Sequence, residues 1–198
     1  MPVYRVGEWS SRAVVVIGAA YLIALVAGIS RFGLTAPITD PILAVMEVLT
    51  VLSAVALTAA ITSLAVVAPH ERRIFGTLAI VFIGLFAGVT IVVHIVALTA
   101  GRQTGAVVLV WPSVLYAAEL AAWDVLLGTA LLFAAWSVDG AGESRVLRVG
   151  LFTAGALCLV GMIGPALGRM PLQRIGIVGY AVVLPVVCVV LARRFGSR

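Results

Sequence analysis

Long apolar runs separated by short polar segments fill almost the whole chain. A helix that crosses a bilayer needs about 20 mostly apolar residues, each of which adds about 1.5 Å to its length. Six of the runs approach or exceed this length, and prolines and charged residues stand between them. The pattern therefore predicts an all-α, polytopic membrane protein, a six-transmembrane-helix bundle. The predicted spans cover residues 13–30, 42–68, 74–100, 113–138, 149–167 and 175–191.

The composition favours one membrane domain over a soluble one. Hydrophobic residues make up 63% of the chain and charged residues only 11%, whereas a soluble domain carries about 25% charged residues. No segment remains for a soluble domain, so we expect residues 1–198 to form a single integral membrane domain with the lipid bilayer as its main partner. The first apolar run is longer than a signal-peptide core and lacks a small-residue cleavage site, which favours an uncleaved first span.

The distribution of arginine predicts the orientation in the membrane. All 13 basic residues are arginine. Nine of them fall in the two tails and in the second and fourth loops, and four fall in the other three loops. Because cytoplasmic loops are enriched in basic residues, we expect both termini in the cytoplasm and a multi-pass protein of the cell inner (plasma) membrane. The net charge of +5 resides in these tails and loops, so no nucleic-acid partner is expected.

Four ionisable residues inside the apolar runs are the candidate functional groups. They are Glu47, His94, Glu119 and Asp124, and a charge inside hydrocarbon is costly and seldom kept without a use. The first three each lie about six residues, or about 9 Å, inward from the outer end of their span. Asp124 lies five residues deeper than Glu119, near the middle of the bilayer. These residues are predicted to bind a ligand or a proton.

Helical periodicity adds four polar or aromatic residues that should line the same cavity. They are Thr50, Thr90, Tyr116 and Trp123. Each lies three or four residues from one of the acids or from His94, which places it on the same face of its helix. Glu119 and Asp124 are separated by about 140° at 100° per residue, so both line one cavity only if their helix is buried on more than one side.

The sequence predicts a polar, ionisable cavity within the membrane that opens to the extracytoplasmic side. Glu47 and Glu119 would flank His94, with Asp124 at the floor. Such a site would bind or move a small-molecule or lipophilic ligand, with proton-linked movement as one form of this function. Two alternatives stay open: a membrane-embedded enzyme that uses Glu, His and Asp as acids and bases on a lipophilic substrate, and a structural or accessory membrane subunit.

Several sequence features limit the cofactors and leave the assembly open. The chain has no Lys, so a retinal Schiff base is excluded, and without an HExxH or clustered His motif we expect no metal and no cofactor. Gly84 and Gly88 have the GxxxG spacing that favours close helix contact. The sequence leaves open whether the chain forms a homo-oligomer and whether residues 106–112 are re-entrant.

Overall fold

The computed structural model describes residues 2–33, 38–104, 109–139 and 143–197. All regular secondary structure in these ranges is helical. Six of the helices in this part of the chain are long and apolar enough to cross a membrane, which confirms the predicted all-α, six-helix bundle. They are α1 (Pro2–Phe32), α2 (Ile42–Val66), α3 (His70–Thr104), α4 (Val114–Ser137), α5 (Ser144–Ala166) and α6 (Met170–Gly196).

The helices extend beyond the apolar runs at several ends. Helix α1 begins at Pro2 and includes a charged first part, where Glu8 and Arg12 form an ion pair of 2.6 Å one turn apart. Helix α3 continues through Ala97–Gly101 to Thr104, so Arg102 lies on a helix and not in a loop. Apolar content marks the part of a helix that crosses hydrocarbon, whereas the helix itself continues into the interface.

The segment for which a re-entrant structure was considered is only partly described. Residues 106–108 lie outside the described ranges. Residues 109–112 form bends and a turn, and Ser113 follows as the N-cap of α4. The hydroxyl oxygen of Ser113 accepts a hydrogen bond of 3.2 Å from the backbone N–H of Tyr116, which satisfies one of the free amides at the start of the helix.

The six helices form a closed ring. Each helix packs against its neighbours in sequence, and α6 packs against α1. The two chain ends meet at one end of the bundle, where the rings of Tyr4 and Phe195 are in edge-to-face contact with centroids 6.0 Å apart. We call this the proximal end. The distal end is the opposite one, where α1 leads to α2, α3 to α4 and α5 to α6.

Apolar side chains form both the centre and the outer surface of the ring. Buried leucines, isoleucines and alanines, together with Phe86, fill the centre. Many valines, leucines and isoleucines on the outside are exposed, as expected for side chains that face lipid and not water. Because lipid tails solvate these groups, the ring is held together by close packing and by the few polar contacts between its helices.

Three helices contain segments with i→i+5 hydrogen bonds. These π-helical segments are Ala97–Gly101 in α3, Ala121–Leu127 in α4 and Val178–Val183 in α6. The last one ends two residues before Pro185, which has no N–H to donate to the preceding turn. A π segment rotates the residues that follow it about the helix axis, compared with their positions in a regular α-helix. Side-chain directions in α4 and α6 therefore differ from those that a uniform 100° per residue predicts.

Glycines bring α5 and α6 into backbone contact. A Cβ atom on Gly161 would lie 2.6 Å from the Cα atom of Gly176, so the two helices cross at a distance that only glycine permits. In contrast, a Cβ atom on Gly84 or Gly88 would meet no atom within 4 Å. The GxxxG spacing of these two residues therefore corresponds to no close helix contact within the described part of this chain, and they lie on an open face of α3.

We predict that Gly161→Ala lowers the stability of the protein by about 1–3 kcal/mol, because the added methyl group meets backbone atoms that cannot move aside. Gly84→Ala is the matched control, since its methyl group enters open space and alanine favours the helix. Thermal unfolding of the detergent-solubilised proteins should show a lower midpoint for Gly161→Ala alone. Equal midpoints for the two variants would contradict the close crossing of α5 and α6.

Candidate functional site

Buried polar groups are concentrated in the distal half of the bundle. Among the residues that the structure describes, nine polar or charged side chains are buried. Six of them lie in the distal half: Glu47, Thr50, Thr90, His94, Asp124 and Gln173. The three in the proximal half are Ser11, Ser63 and Ser137, and each of these hydroxyls donates to a carbonyl of its own helix. The buried carboxylates, the imidazole and the Gln173 amide therefore all lie in the distal half.

His94 and Glu119 form the centre of the site. The Nε2 atom of His94 on α3 lies 2.9 Å from Oε1 of Glu119 on α4. The indole N–H of Trp123, one turn further along α4, donates a hydrogen bond of 2.5 Å to the same oxygen. Two of the four predicted ionisable residues therefore meet, and Trp123 joins them as the helical spacing predicts.

Three polar atoms around this pair are buried and have no hydrogen-bond partner within the described residues. They are Nδ1 of His94, Oε2 of Glu119 and Oγ1 of Thr90. Thr90 and His94 are one turn apart on the same face of α3, and His94 contacts Glu119 directly. Buried polar atoms are nearly always hydrogen-bonded in folded proteins, so a group of three at one place is a feature that needs an explanation.

Aromatic rings surround the His94–Glu119 pair. The ring of Trp123 contacts Phe86 edge to face at 4.9 Å between centroids, and it contacts Tyr180 of α6 at 5.0 Å. Tyr21 of α1 and Tyr116 of α4 lie close enough to Glu119 to interact with it electrostatically. Helices α1, α3, α4 and α6 therefore all contribute to the walls around this acid.

Asp124 lies on another side of α4, where α4 meets α5 and α6. Its side chain is fully buried, and Oδ2 accepts a hydrogen bond of 3.3 Å from the amide of Gln173. Oδ1 has no such partner among the described residues and packs against the backbones of Gly161 and Gly176. The condition that α4 be buried on more than one side is met. Tyr116 lies within electrostatic range of both Asp124 and Glu119.

Glu47 has a different partner from the expected one. Its Oε2 accepts a hydrogen bond of 2.7 Å from Nη1 of Arg102, which also donates to the carbonyl of Ala97. The other two guanidinium nitrogens of Arg102 donate to the two carboxylate oxygens of Asp40, both at 2.8 Å. We call Asp40, Glu47 and Arg102 the distal ion cluster. It connects the start of α2 to the end of α3.

The cluster has a defined effect on Asp40, which lies outside the membrane-spanning helices. The hydrogen bonds from Arg102, with a further contribution from its charge, hold the pKa of this carboxyl below its ordinary value. Asp40 Oδ1 also accepts from the backbone N–H of Ala44 at 3.1 Å, near the start of α2. The anionic side chain therefore stabilises both the cluster and the first turn of that helix.

The remaining predicted lining residue is bonded to its own helix. The hydroxyl of Thr50 is buried and donates its proton to the carbonyl of Met46 at 2.9 Å, so this proton is not available to a ligand. Thr90, in contrast, keeps its hydroxyl free of partners among the described residues. Within the same part of the chain, no three His, Cys, Asp or Glu side chains come together in a way that could hold a metal ion.

Two open grooves on the surface lie apart from these groups. One, of about 230 Å³, is at the distal end between α4 and α5 and is lined by Trp111, Ala117, Leu120, Met162, Pro165 and Ala166. The other is at the proximal end. None of the four predicted ionisable residues lines either groove. Ala117 and Leu120 flank Glu119 in sequence, but the Glu119 side chain faces α3 on another side of α4.

Sequence reasoning did not assign roles to several residues that contact the site. Arg102 and Gln173 lie outside the predicted spans, yet each lies on a helix that continues beyond its apolar run. Tyr21 and Tyr180 lie within apolar runs, where an aromatic residue alone gives no functional signal. The seven-residue spacing of Asp40 and Glu47 was the available signal for a shared cation, because it places both acids on one face at the start of α2.

The fold and the buried polar groups together define a multi-pass integral membrane protein with an ionisable site in one half of its helix bundle. Comparison with protein-family models, with curated proteins and with solved structures gave no significant match.

We predict that Asp40→Asn lowers the free energy of unfolding by about 0.2–1 kcal/mol at neutral pH, as is usual for an exposed ion pair. Asparagine keeps the oxygen that accepts from Ala44 but loses the charge that pairs with Arg102. Because the folded pKa of Asp40 is lowered, its contribution is present above its unfolded pKa of about 4 and is lost as the pH falls through the lower folded value.

Thermal unfolding between pH 7 and pH 3 measures this effect as the difference between wild type and Asp40→Asn. The difference should be constant near neutral pH and should shrink in acid. Glu71→Gln serves as the control, because Glu71 is an exposed carboxylate at the proximal end. A difference that grows as the pH falls would show that Asp40 is not stabilised in its charged form.

Proposed function

We propose that this protein binds a small, hydrogen-bonding solute at the His94–Glu119 pair and exchanges protons at the same place. The observation that carries this proposal is the group of three buried polar atoms, on Thr90, His94 and Glu119, that have no partner among the described residues. A solute that enters between α3 and α4 would supply the missing hydrogen bonds. Binding would thereby offset the free-energy cost of burying these groups.

The arrangement supports proton exchange because each unpartnered atom can change its role. Oε1 of Glu119 already bonds both the indole N–H of Trp123 and Nε2 of His94, so Oε2 is left to accept a hydrogen bond or to carry a proton. When Nε2 of His94 donates to Glu119, Nδ1 accepts in the neutral ring and donates in the charged ring. One proton added to this pair therefore changes which groups of a solute it can bind.

The aromatic surroundings favour a lipophilic solute. Phe86, Trp123 and Tyr180 form an apolar wall next to the polar atoms, the usual composition of a small-molecule site. Asp124 would be a second protonation site, since its Oδ1 is buried without a hydrogen-bond partner in the described part of the chain. Tyr116, which interacts with both acids, is the residue through which they would influence each other.

The proposal places residues 1–198 as one integral membrane domain in the cell inner (plasma) membrane, with both termini in the cytoplasm. The excess of arginine in the tails and in the second and fourth loops supports this orientation. The distal half, and with it the His94–Glu119 pair, would then lie toward the extracytoplasmic side. A solute or proton would reach the site from that side, and its movement across the membrane would be a further step.

A membrane-embedded enzyme is the second candidate, and one observation favours it. The carboxylate of Glu119 fixes the imidazole of His94 by its Nε2 atom and leaves Nδ1 unbonded, as expected for a general base that is oriented by an acid. Chemical analysis of a bound lipophilic probe after incubation separates the two functions. Conversion that is lost in His94→Gln would support the enzyme, and unchanged probe would support binding.

We predict that the fluorescence of Trp123 reports protonation of His94. In a variant with Trp123 as its single tryptophan (Trp9, Trp111 and Trp136 replaced by Phe), emission should fall as the pH is lowered, because a charged imidazole near the indole quenches it. His94→Gln should abolish this transition. Glu119→Gln should alter it, because the carboxylate oxygen that bonds Nε2 of His94 is replaced by an uncharged amide.

His70→Gln is the matched control for this titration, since His70 is the other histidine of the chain and lies at the proximal end. It should leave the transition unchanged. If the transition persists in His94→Gln, or disappears in His70→Gln, the proton is not taken up at the His94–Glu119 pair, and this part of the proposal fails.

We predict that a small aromatic solute with a polar group binds at this pair. Phenol, benzamide, benzoic acid and benzylamine represent four hydrogen-bonding classes, and their binding can be measured by the change in Trp123 emission. Glu119→Gln should weaken binding of the preferred probe by about 10-fold or more, as expected for a hydrogen bond to a charged group. Thr90→Val should weaken it by a smaller factor.

Thr99→Val is the control for Thr90→Val, because Thr99 is exposed and its hydroxyl bonds to the carbonyl of Ile95 on the same helix. It should not change the affinity. Failure of all four probes, or binding that is insensitive to Glu119→Gln, would leave the accessory-subunit interpretation in place, in which the pair only joins α3 to α4.

A further inference from the structure

A second groove lies at the proximal end, far from the His94–Glu119 pair. It has a volume of about 320 Å³ and is lined by Trp136 of α4 and by Arg145, Arg148, Val149 and Phe152 of α5. Arg148 and Val149 lie three and four residues after Arg145, and Phe152 lies four and three residues after them, so the four side chains form one face at the start of α5. The groove therefore runs along α5 from its charged first turn toward its apolar middle.

The two arginines in the groove are available to a ligand. Among the side chains that the structure describes, none forms an ion pair with Arg145 or Arg148, and no acidic one lines the groove. Guanidinium groups bind phosphate oxygens with two parallel hydrogen bonds. Two of them, one turn apart on one face of a helix, can contact the same phosphate group.

The rest of the groove is apolar and open to the lipid side of the bundle. The side chains of Val149 and Phe152 are about half exposed, at 57% and 47%. Trp136 forms the opposite wall and is held by ring contacts to Phe75 and Phe133, both with centroids 5.8 Å apart. Tryptophan and arginine at the end of a transmembrane helix are typical of the boundary between headgroups and acyl chains.

A third arginine strengthens the positive charge at this wall. Nη1 of Arg72 donates to the carbonyl oxygens of Trp136 and Val138, at 3.0 and 3.1 Å. Arg72 thereby caps the C-terminus of α4, where the helix leaves carbonyls without partners inside the helix. Its charge thereby lies next to the backbone of Trp136.

We propose that this groove binds one anionic phospholipid. Its phosphate lies between Arg145 and Arg148, and one acyl chain lies along Val149 and Phe152 against the ring of Trp136. A soluble anion would use only the arginines, whereas a lipid uses both the charged and the apolar part of the groove. The site is independent of the solute site in the distal half, and it gives the bundle a preference among membrane lipids.

The test uses brominated lipids, which quench tryptophan on contact. A variant with Trp136 as its single tryptophan (Trp9, Trp111 and Trp123 replaced by Phe) is placed in phosphatidylcholine bilayers. Brominated phosphatidylglycerol and brominated phosphatidylcholine are then compared at equal mole fraction. We expect quenching that corresponds to a preference on the order of 10-fold for phosphatidylglycerol, since each arginine near the surface attracts anionic lipid. The double variant Arg145→Gln and Arg148→Gln should reduce this preference to near one.

The matched control is the double variant Arg5→Gln and Arg193→Gln. It removes the same charge from exposed positions at the same end of the bundle, outside the groove. It should keep the preference. An equal loss in both double variants would mean diffuse attraction of anionic lipid and would overturn a specific site. Equal quenching by the two brominated lipids would overturn the proposal entirely.

Native mass spectrometry of the wild-type protein gives a second measurement that needs no tryptophan replacement. One phosphatidylglycerol should stay bound where phosphatidylcholine does not, and the arginine pair should be required for this. Soluble glycerol phosphate in excess should fail to displace it, because it lacks the acyl chain. Displacement by glycerol phosphate would show a site for the phosphate alone and would refute the lipid assignment.

Discussion

A polar side chain that is buried among helices in a bilayer has no water to bond, so its partners must come from the protein. This constraint explains how the distal half of the bundle is joined. The hydrogen bond between His94 and Glu119 connects α3 to α4, and Arg102 connects α2 to α3. Asp124 and Gln173 connect α4 to α6. Apolar packing alone gives little preference for one neighbour over another in lipid, whereas these bonds determine which helices are adjacent.

Close packing and polar contacts depend on each other at the crossing of α4, α5 and α6. The carboxylate of Asp124 occupies the space that a side chain at position 176 would need, and Gly161 lets α5 approach from the other side. A larger residue at either glycine would displace the acid from Gln173. An acid in the interior and two glycines on different helices therefore form one structural unit, although they are far apart in the sequence.

The sequence was sufficient to predict the helices, because a span needs only local apolar composition and length. It also identified His94, Glu119 and Trp123, which follow from depth and from helical spacing on α4. The partner of Glu47 could not be predicted, since α3 continues through a π segment that brings Arg102 back onto the helix. The contacts of Asp124 could not be predicted either. They depend on which helices cross and on π segments, and amino-acid composition indicates neither.

The unequal distribution of buried polar groups has an electrical consequence. The proximal half holds no buried Asp, Glu, His or Arg side chain among the described residues, and its three buried serines are bonded to their own helices. This half is an insulating layer of hydrocarbon-like material, in which an ion would lose its solvation without replacement. Among the described residues, this half therefore provides no buried carboxylate, imidazole or guanidinium that could stabilise a charge passing through the bundle.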